Sequence, residues 1–200
     1  IITKKEIRKS FSTKNEMMRA QLDISVQNNV KFKYVLADSW FASNENMKYI
    51  NKLKKIFIFD IKSNRLASIF DRNKGKWLNI SKLSIEESTP IEVWLKDLEI
   101  RVLLFKQVFI NKDGSRGERF LVSNDLELSK ENFINIYKKR WSVEEYHKSL
   151  KQNSSATKSP TRTVQTISAH LYASLLAYVK LESYKLKTKM NHFMIKGKLY

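Results

Sequence analysis

Four residues in one short stretch, Tyr137, Arg140, Glu144 and Lys151, set a carboxylate among two cations and a phenol. On a helix, Glu144, Lys148 and Lys151 stand at i, i+4 and i+7 and share a face. A second carboxylate, Asp38, ends the apolar run Tyr34-Val-Leu-Ala37 far upstream. Carboxylates that lie apart in sequence and meet at one sheet edge are the donor set of a Mg²⁺-dependent phosphoryl-transfer site on DNA. Hard oxygen ligands suit that ion, and the neighbouring cations suit phosphate. The pattern points to a nuclease-like enzyme.

The rest of the composition agrees with a polyanionic partner. The 200 residues carry a formal net charge of +18, with a pI near 9.9. Each Lys or Arg laid on a phosphate releases counterions. A lysine-rich codon bias would raise the charge as well, and it does not exclude DNA binding. At 42% hydrophobic residues the chain can build a sizeable core, in one domain of ordinary size. With no cysteine, disulfides and thiolate zinc sites are excluded. The longest mostly apolar stretch, Leu171 to Val179, is too short to span a bilayer, and the first residues lack the apolar region of a signal peptide. The chain begins with Ile rather than Met, so it reads as a piece of a longer protein.

The elements that would position the carboxylates can be read from periodicity. Residues 13–30 predict an amphipathic helix with Met17, Met18, Leu22 and Ile24 as its apolar positions. Phe32 to Asp38 predicts a strand that delivers Asp38 to a sheet edge. Ser43 is placed to cap a helix carrying Met47, Ile50 and Leu53, and Ile56 to Asp60 predicts a second buried strand, followed by the basic turn Lys62 to Arg65. Strand, helix, strand at this spacing is a βαβ unit with a parallel pair. From about residue 70 to 128 the chain turns β-rich and antiparallel, with Asn111-Lys-Asp-Gly114 as a hairpin turn. Ser129 caps a helix to Trp141. Ser142-Val-Glu-Glu145 then predicts a capping box and a break, with Glu144 in the first turn of a new helix. Residues 152–163 predict a loop, and a last helix from Thr166 to about Lys187 is expected to turn Ile167, Leu171, Leu175 and Val179 to the core.

The spacing of Tyr137, Arg140, Glu144 and Lys151 is similar to the Y-R-E-K signature of insertion-sequence transposases with an RNase H-like DDE core, and Ala37-Asp38-Ser-Trp-Phe41 resembles the segment carrying their second Asp. The resemblance runs from about residue 10 to 185. It implies an α/β fold: a mixed RNase H-like sheet flanked by helices, a single core over residues 1–200, with a β-rich insertion at about 70–128 before the catalytic Glu helix. It implies that Asp38 and Glu144 hold two Mg²⁺ or Mn²⁺ ions about 4 Å apart. Tyr137, Arg140, Lys148 and Lys151 would contact DNA, and Lys62 and Arg65 are weaker candidates for its backbone. The reaction implied is metal-dependent cleavage of insertion-sequence ends, then strand transfer by the freed 3′-hydroxyl. The partners implied are end and target DNA and a second copy on paired ends, with no membrane, in a bacterial cytoplasm at the nucleoid.

The family's first Asp has no counterpart. Asp23 lies in a polar helical stretch and Asp60 follows the βαβ unit, so the opening strands are expected to be missing, and the fragment alone to bind DNA but cleave it poorly or not at all. Two other readings stay open: an inactive DNA-binding remnant, and an RNase H-like metal-dependent nuclease without strand transfer. Glu144-Glu-Tyr-His147 also matches a di-iron Glu-x-x-His, but no second copy accompanies it. Asp38 could cap its following turn, and Glu144 could serve only the helix dipole. His170 is expected in packing and His192 in the tail. Trp77 and Trp94 are expected chiefly as packing, with base stacking the sharper alternative. Trp40 and Trp141 are expected as packing that fixes the site.

Overall fold

The computed structural model describes residues 11–70, 76–87, 89–160 and 162–199, so part of the expected insertion (71–75 and 88) lies outside the described residues. The chain forms two compact units, Ile1–Lys139 and Arg140–Tyr200.

In the first unit, Thr13-x-x-Glu16 is a capping box that starts α1 (Lys14–Gln27). The Thr13 hydroxyl accepts from the Glu16 N–H, and Glu16 accepts from the Thr13 N–H. Of the four apolar positions on α1, Met18 and Leu22 pack on the core while Met17 and Ile24 stay exposed. The βαβ unit follows as expected: β1 (Tyr34–Ala37), α2 (Asn44–Lys52) with the Ser43 hydroxyl capping Asn46 N–H, and β2 (Ile56–Ile61). The strands β1 and β2 are parallel, in register from Tyr34 opposite Ile56 to Ala37 opposite Phe59.

Next come β3 (Leu66–Ser68), β4 (Leu78–Asn79), a 3-10 turn (Ile80–Lys82), β5 (Ile91–Leu95), β6 (Arg101–Ile110), β7 (Arg116–Ser123) and α3 (Lys130–Lys138). The antiparallel stretch does not stand apart from the βαβ unit. It continues one seven-stranded sheet in the order β1-β2-β7-β6-β5-β3-β4, with β7 antiparallel to β2 from Ile58 opposite Ser123 to Ile61 opposite Phe120. The β6–β7 hairpin turns at Asn111–Gly114, where Gly114 takes φ +81°, a conformation that L side chains rarely adopt.

Two apolar layers show why β2 reads as an unbroken run. Phe57, Phe59 and Ile61 face one side, with Met47 and Ile50 of α2, while Ile58 faces the other, with Phe105, Phe133 and Tyr137. A strand covered on both faces has no polar side to alternate with.

A 3-10 turn (Lys139–Trp141) leads into the second unit, which holds α4 (Ser142–Gln152), α5 (Val164–Thr188) and α6 (His192–Leu199). Glu144 is in the first turn of α4, as expected, but the capping box is not its start. The N-cap is Trp141 in the right-handed helical region, with no side-chain cap bond, because the chain arrives already coiled and never leaves that region. The expectation for α5 is also corrected. Ile167, Leu171, Leu175 and Val179 are 37–59% exposed, and the helix buries only Ser174 and Leu181. Periodicity marks an apolar face but cannot say what lies against it. Within this unit, α5 meets α4 and α6 around Tyr178, Leu181 and Glu182. Among the described residues no helix is long and apolar enough to cross a membrane.

Phe133 is fully buried and stacks on Phe105 with ring centroids 5.6 Å apart. Phe133→Ala is expected to cost about 3–5 kcal/mol in urea unfolding. Ile24→Ala, on the exposed side of α1, is expected to cost under about 0.5 kcal/mol. Equal effects of the two would contradict the layer assignment.

Candidate active site

In the first unit, Asp38 follows the last residue of β1 and is exposed. Its Oδ1 accepts from the Trp40 N–H at 3.0 Å, and its carbonyl accepts from Phe41 N–H at 3.2 Å, so the acid closes the turn that leaves the sheet edge. The capping role therefore holds, and it engages only one carboxylate oxygen. Tyr137 lies beneath this strand end: its ring is buried, with the Arg119 guanidinium 5.7 Å from its centroid, and its hydroxyl donates to the Ala37 carbonyl at 3.3 Å. The structure thus brings Tyr137 to the residue next to Asp38.

Lys62 is exposed just past β2. Arg65 is turned to the protein instead, donating to the Ala42 carbonyl at 3.2 Å and to Asn44 Oδ1 at 2.5 Å. Burial pushes its pKa down, against the pull of Glu45 and Asp97.

In the second unit, Glu144 and Arg140 form a pair one helical turn apart, Nη1 to Oε1 at 2.6 Å. The other carboxylate oxygen, Oε2, is buried and receives no hydrogen bond among the described residues. A buried carboxylate oxygen with no donor on it leaves one lone-pair position open to a hard cation, so Glu144 fits a metal ligand. Among the described residues no group of three or more His, Asp or Glu gathers into an ion site. Lys151 is exposed in the last turn of α4, and Lys148 holds its ammonium 5.3 Å from the Phe193 ring centroid.

Sequence reasoning missed a buried network behind α4. His192, expected in a tail, is 5% exposed. Asn153 donates to the Ser149 hydroxyl at 3.0 Å, and that hydroxyl shares a hydrogen bond with His192 Nδ1 at 2.7 Å. Nε2 lies 3.2 Å from Glu182 Oε1, within ion-pair range but off the hydrogen-bond axis. Burial pushes the Glu182 carboxyl up, but donors from Lys185 and Tyr178 outweigh it and hold the group below the usual carboxylate range. Tyr178, half-buried and donating to Glu182, is pushed up to about 12. The signal available was weak: a His two residues after Met190, with no regular spacing to Glu182 or Ser149.

The tryptophans also differ from expectation. Trp40 and Trp141, read as packing, are 62% and 59% exposed, while Trp77 and Trp94 are half-buried, with Arg101 over the Trp94 ring. Trp40 stands out because the turn closed by Asp38 carries it off the sheet edge before Phe41 returns to the core.

A family model described as a transposase DDE domain matches residues 9–180. No curated protein matches the chain.

The His192 network has a pH signature. Burial depresses the imidazole pKa, Lys185 adds to that, and Glu182 opposes it without prevailing. The unfolded chain therefore takes up the proton first as pH falls, so stability is full above the ordinary value of about 6.5 and declines below it until folded His192 also titrates. The urea midpoint of α5 and α6 is expected to be lower at pH 5.5 than at pH 7.5, by less in His192→Gln. A midpoint that does not move in the wild type would contradict the network.

Proposed function

Because the chain belongs to the family of transposase DDE domains, we propose that it acts on the ends of an insertion sequence, cleaving a DNA phosphodiester and joining the freed 3′-hydroxyl to a target strand. The observation that carries the reading to single residues is the orphaned Oε2 of Glu144, an acid at the Glu position of the Tyr137, Arg140, Glu144, Lys151 spacing. On this reading the chain is one RNase H-like core of the Y-R-E-K branch, and the antiparallel strands between about 70 and 128 are an insertion between its two acids.

Asp38 and Glu144 would hold the divalent cations, Mg²⁺ or Mn²⁺, through hard carboxylate oxygens. When bound, such ions activate an attacking water or 3′-hydroxyl and stabilise the leaving oxygen. The chain's own side chains bind and orient. Arg140 pairs with Glu144 and fixes its rotamer across one helical turn. Lys148 and Lys151 offer point charges to backbone phosphates from the same face of α4, and Lys62 does so past β2. The hydrogen bond of Tyr137 to Ala37 supports a role in holding the Asp38 strand end, and its hydroxyl would reach a phosphate only by exchanging that bond. The bonds of Arg65 to Ala42 and Asn44 support the same kind of role for the turn after Asp38. Two copies would act together on paired ends, and the setting would be a bacterial cytoplasm, at the nucleoid.

In a full-length version that carries the family's first Asp, Glu144→Gln is expected to abolish Mg²⁺-dependent cleavage of end-bearing DNA and to leave DNA binding within about twofold. Retained cleavage would sink the assignment. Lys151→Ala is expected to weaken binding and lower the slope of log K against log salt by about 1; an unchanged slope would remove Lys151 from the phosphate contacts.

A further inference from the structure

We infer that Arg119 is a positioning residue of the candidate site, withholding the neighbouring acid Asp60 so that the cation falls to Asp38, and this rests on the transposase reading above. Asp38 follows Ala37 of β1, and Asp60 follows Phe59, the residue paired with Ala37 in the parallel register. The two acids therefore stand side by side at neighbouring strand ends, on strands about 4.8 Å apart. Alternation gives them a common face. Leu36 and Ile58, two residues before each, both pack in the layer that holds Tyr137. Hard oxygens placed this way could share one divalent ion. Only Asp38 lies in the segment similar to the family's second Asp, so something must decide between the two.

Arg119 of β7 separates them by charge. Its Nε lies 3.6 Å from Asp60 Oδ2, and the two side chains are 37% and 28% exposed, so water screens the pair less than one at the open surface. The guanidinium is fixed between two rings, 5.5 Å from the Phe109 centroid and 5.7 Å from that of Tyr137. Phe109 is seated in turn on Gly117, its partner across the hairpin, where a Cβ would come within 2.5 Å of the ring. Glu118, the acid next to Arg119 in sequence, is engaged by Lys106 at 2.9 Å. A planar guanidinium can lie against both rings and still turn an N–H to a carboxylate. An acid whose charge is matched in this way attracts a divalent ion less than one left unmatched. The same guanidinium braces the Tyr137 ring, whose hydroxyl donates to the Ala37 carbonyl. Arg119 thus acts on Asp38 through two others: Tyr137 fixes its strand end, and the pair with Asp60 removes a rival ligand.

The test titrates Mn²⁺ into the chain held on insertion-end DNA and reads the bound ion by electron paramagnetic resonance, with the DNA alone as blank. Arg119→Met keeps the stem and loses the charge. It is expected to bind Mn²⁺ about tenfold more tightly, because a second hard oxygen becomes available. In that background Asp38→Asn is expected to lose only part of the signal, and added Asp60→Asn to restore wild-type affinity. Arg119→Lys, which keeps the charge, and Asp60→Asn alone are each expected to stay within about twofold of the wild type. Lost packing alone would weaken binding, so a gain that Asp60→Asn cancels separates positioning from a structural role. Wild-type or weaker affinity in Arg119→Met would overturn the inference and leave the metal assignment of Asp38 standing. So would a loss in Asp60→Asn equal to that in Asp38→Asn, which would make Asp60 a ligand in its own right. Weaker DNA binding by Arg119→Met at unchanged Mn²⁺ affinity would make Arg119 a phosphate contact instead. A wild-type chain that binds no Mn²⁺ beyond the blank would overturn the metal reading and this inference with it.

Discussion

The first unit depends on β2 being enclosed on every side. Its backbone is shared between a parallel neighbour carrying Asp38 and an antiparallel one, β7, that returns from the hairpin. Its side chains enter both apolar layers, Phe57, Phe59 and Ile61 to one and Ile58 to the other. Asn124, just past β7, secures the junction: it accepts from the Phe57 N–H at 2.9 Å and donates to the Lys55 carbonyl at 3.0 Å. With β2 held this way, β1 has a single register, and the residue after it is delivered to one place at the sheet edge. Tyr137 then closes over that place from α3. The position of Asp38 is thus a consequence of packing several residues away from it.

The second unit works by a different means. Glu144 and Arg140 are neighbours only because a helix repeats every 3.6 residues, so their pairing is local. What lies behind α4 is not local: Ser149, His192, Glu182 and Tyr178 come from three helices and meet in one partly buried polar cluster. That cluster holds α6 against the helix bearing Glu144, so the rigidity of the candidate acid has a source outside its own turn.

Legibility in the sequence follows the same division. The α2 helix with its Ser43 cap, the flanking strands, the Asn111–Gly114 turn and the helix carrying Glu144, Lys148 and Lys151 on one face all declare themselves within a few residues, and each is found. Pairings across long separations leave no such trace. Nothing in Glu118 to Ser123 says that it lies against β2 as well as β6. A Ser-x-x-Glu at 142–145 resembles a capping box, yet the preceding residues are already helical, so no cap is required. The apolar stripe of α5 has a helical period without a stated partner, and His192 has no local feature that distinguishes a buried residue from a tail. Trp40 was misread for the opposite reason: large aromatics are usually interior, and only the hydrogen-bonded turn at Asp38 carries this one outward.

The central claim is that Asp38 and Glu144 are metal ligands. Electron paramagnetic resonance of Mn²⁺ bound to the chain on insertion-end DNA tests it most directly, with Asp38→Asn and Glu144→Gln measured beside the wild type. The account predicts a bound Mn²⁺ signal in the wild type that both substitutions sharply reduce, with DNA still bound. Equal Mn²⁺ signals in all three proteins would contradict it.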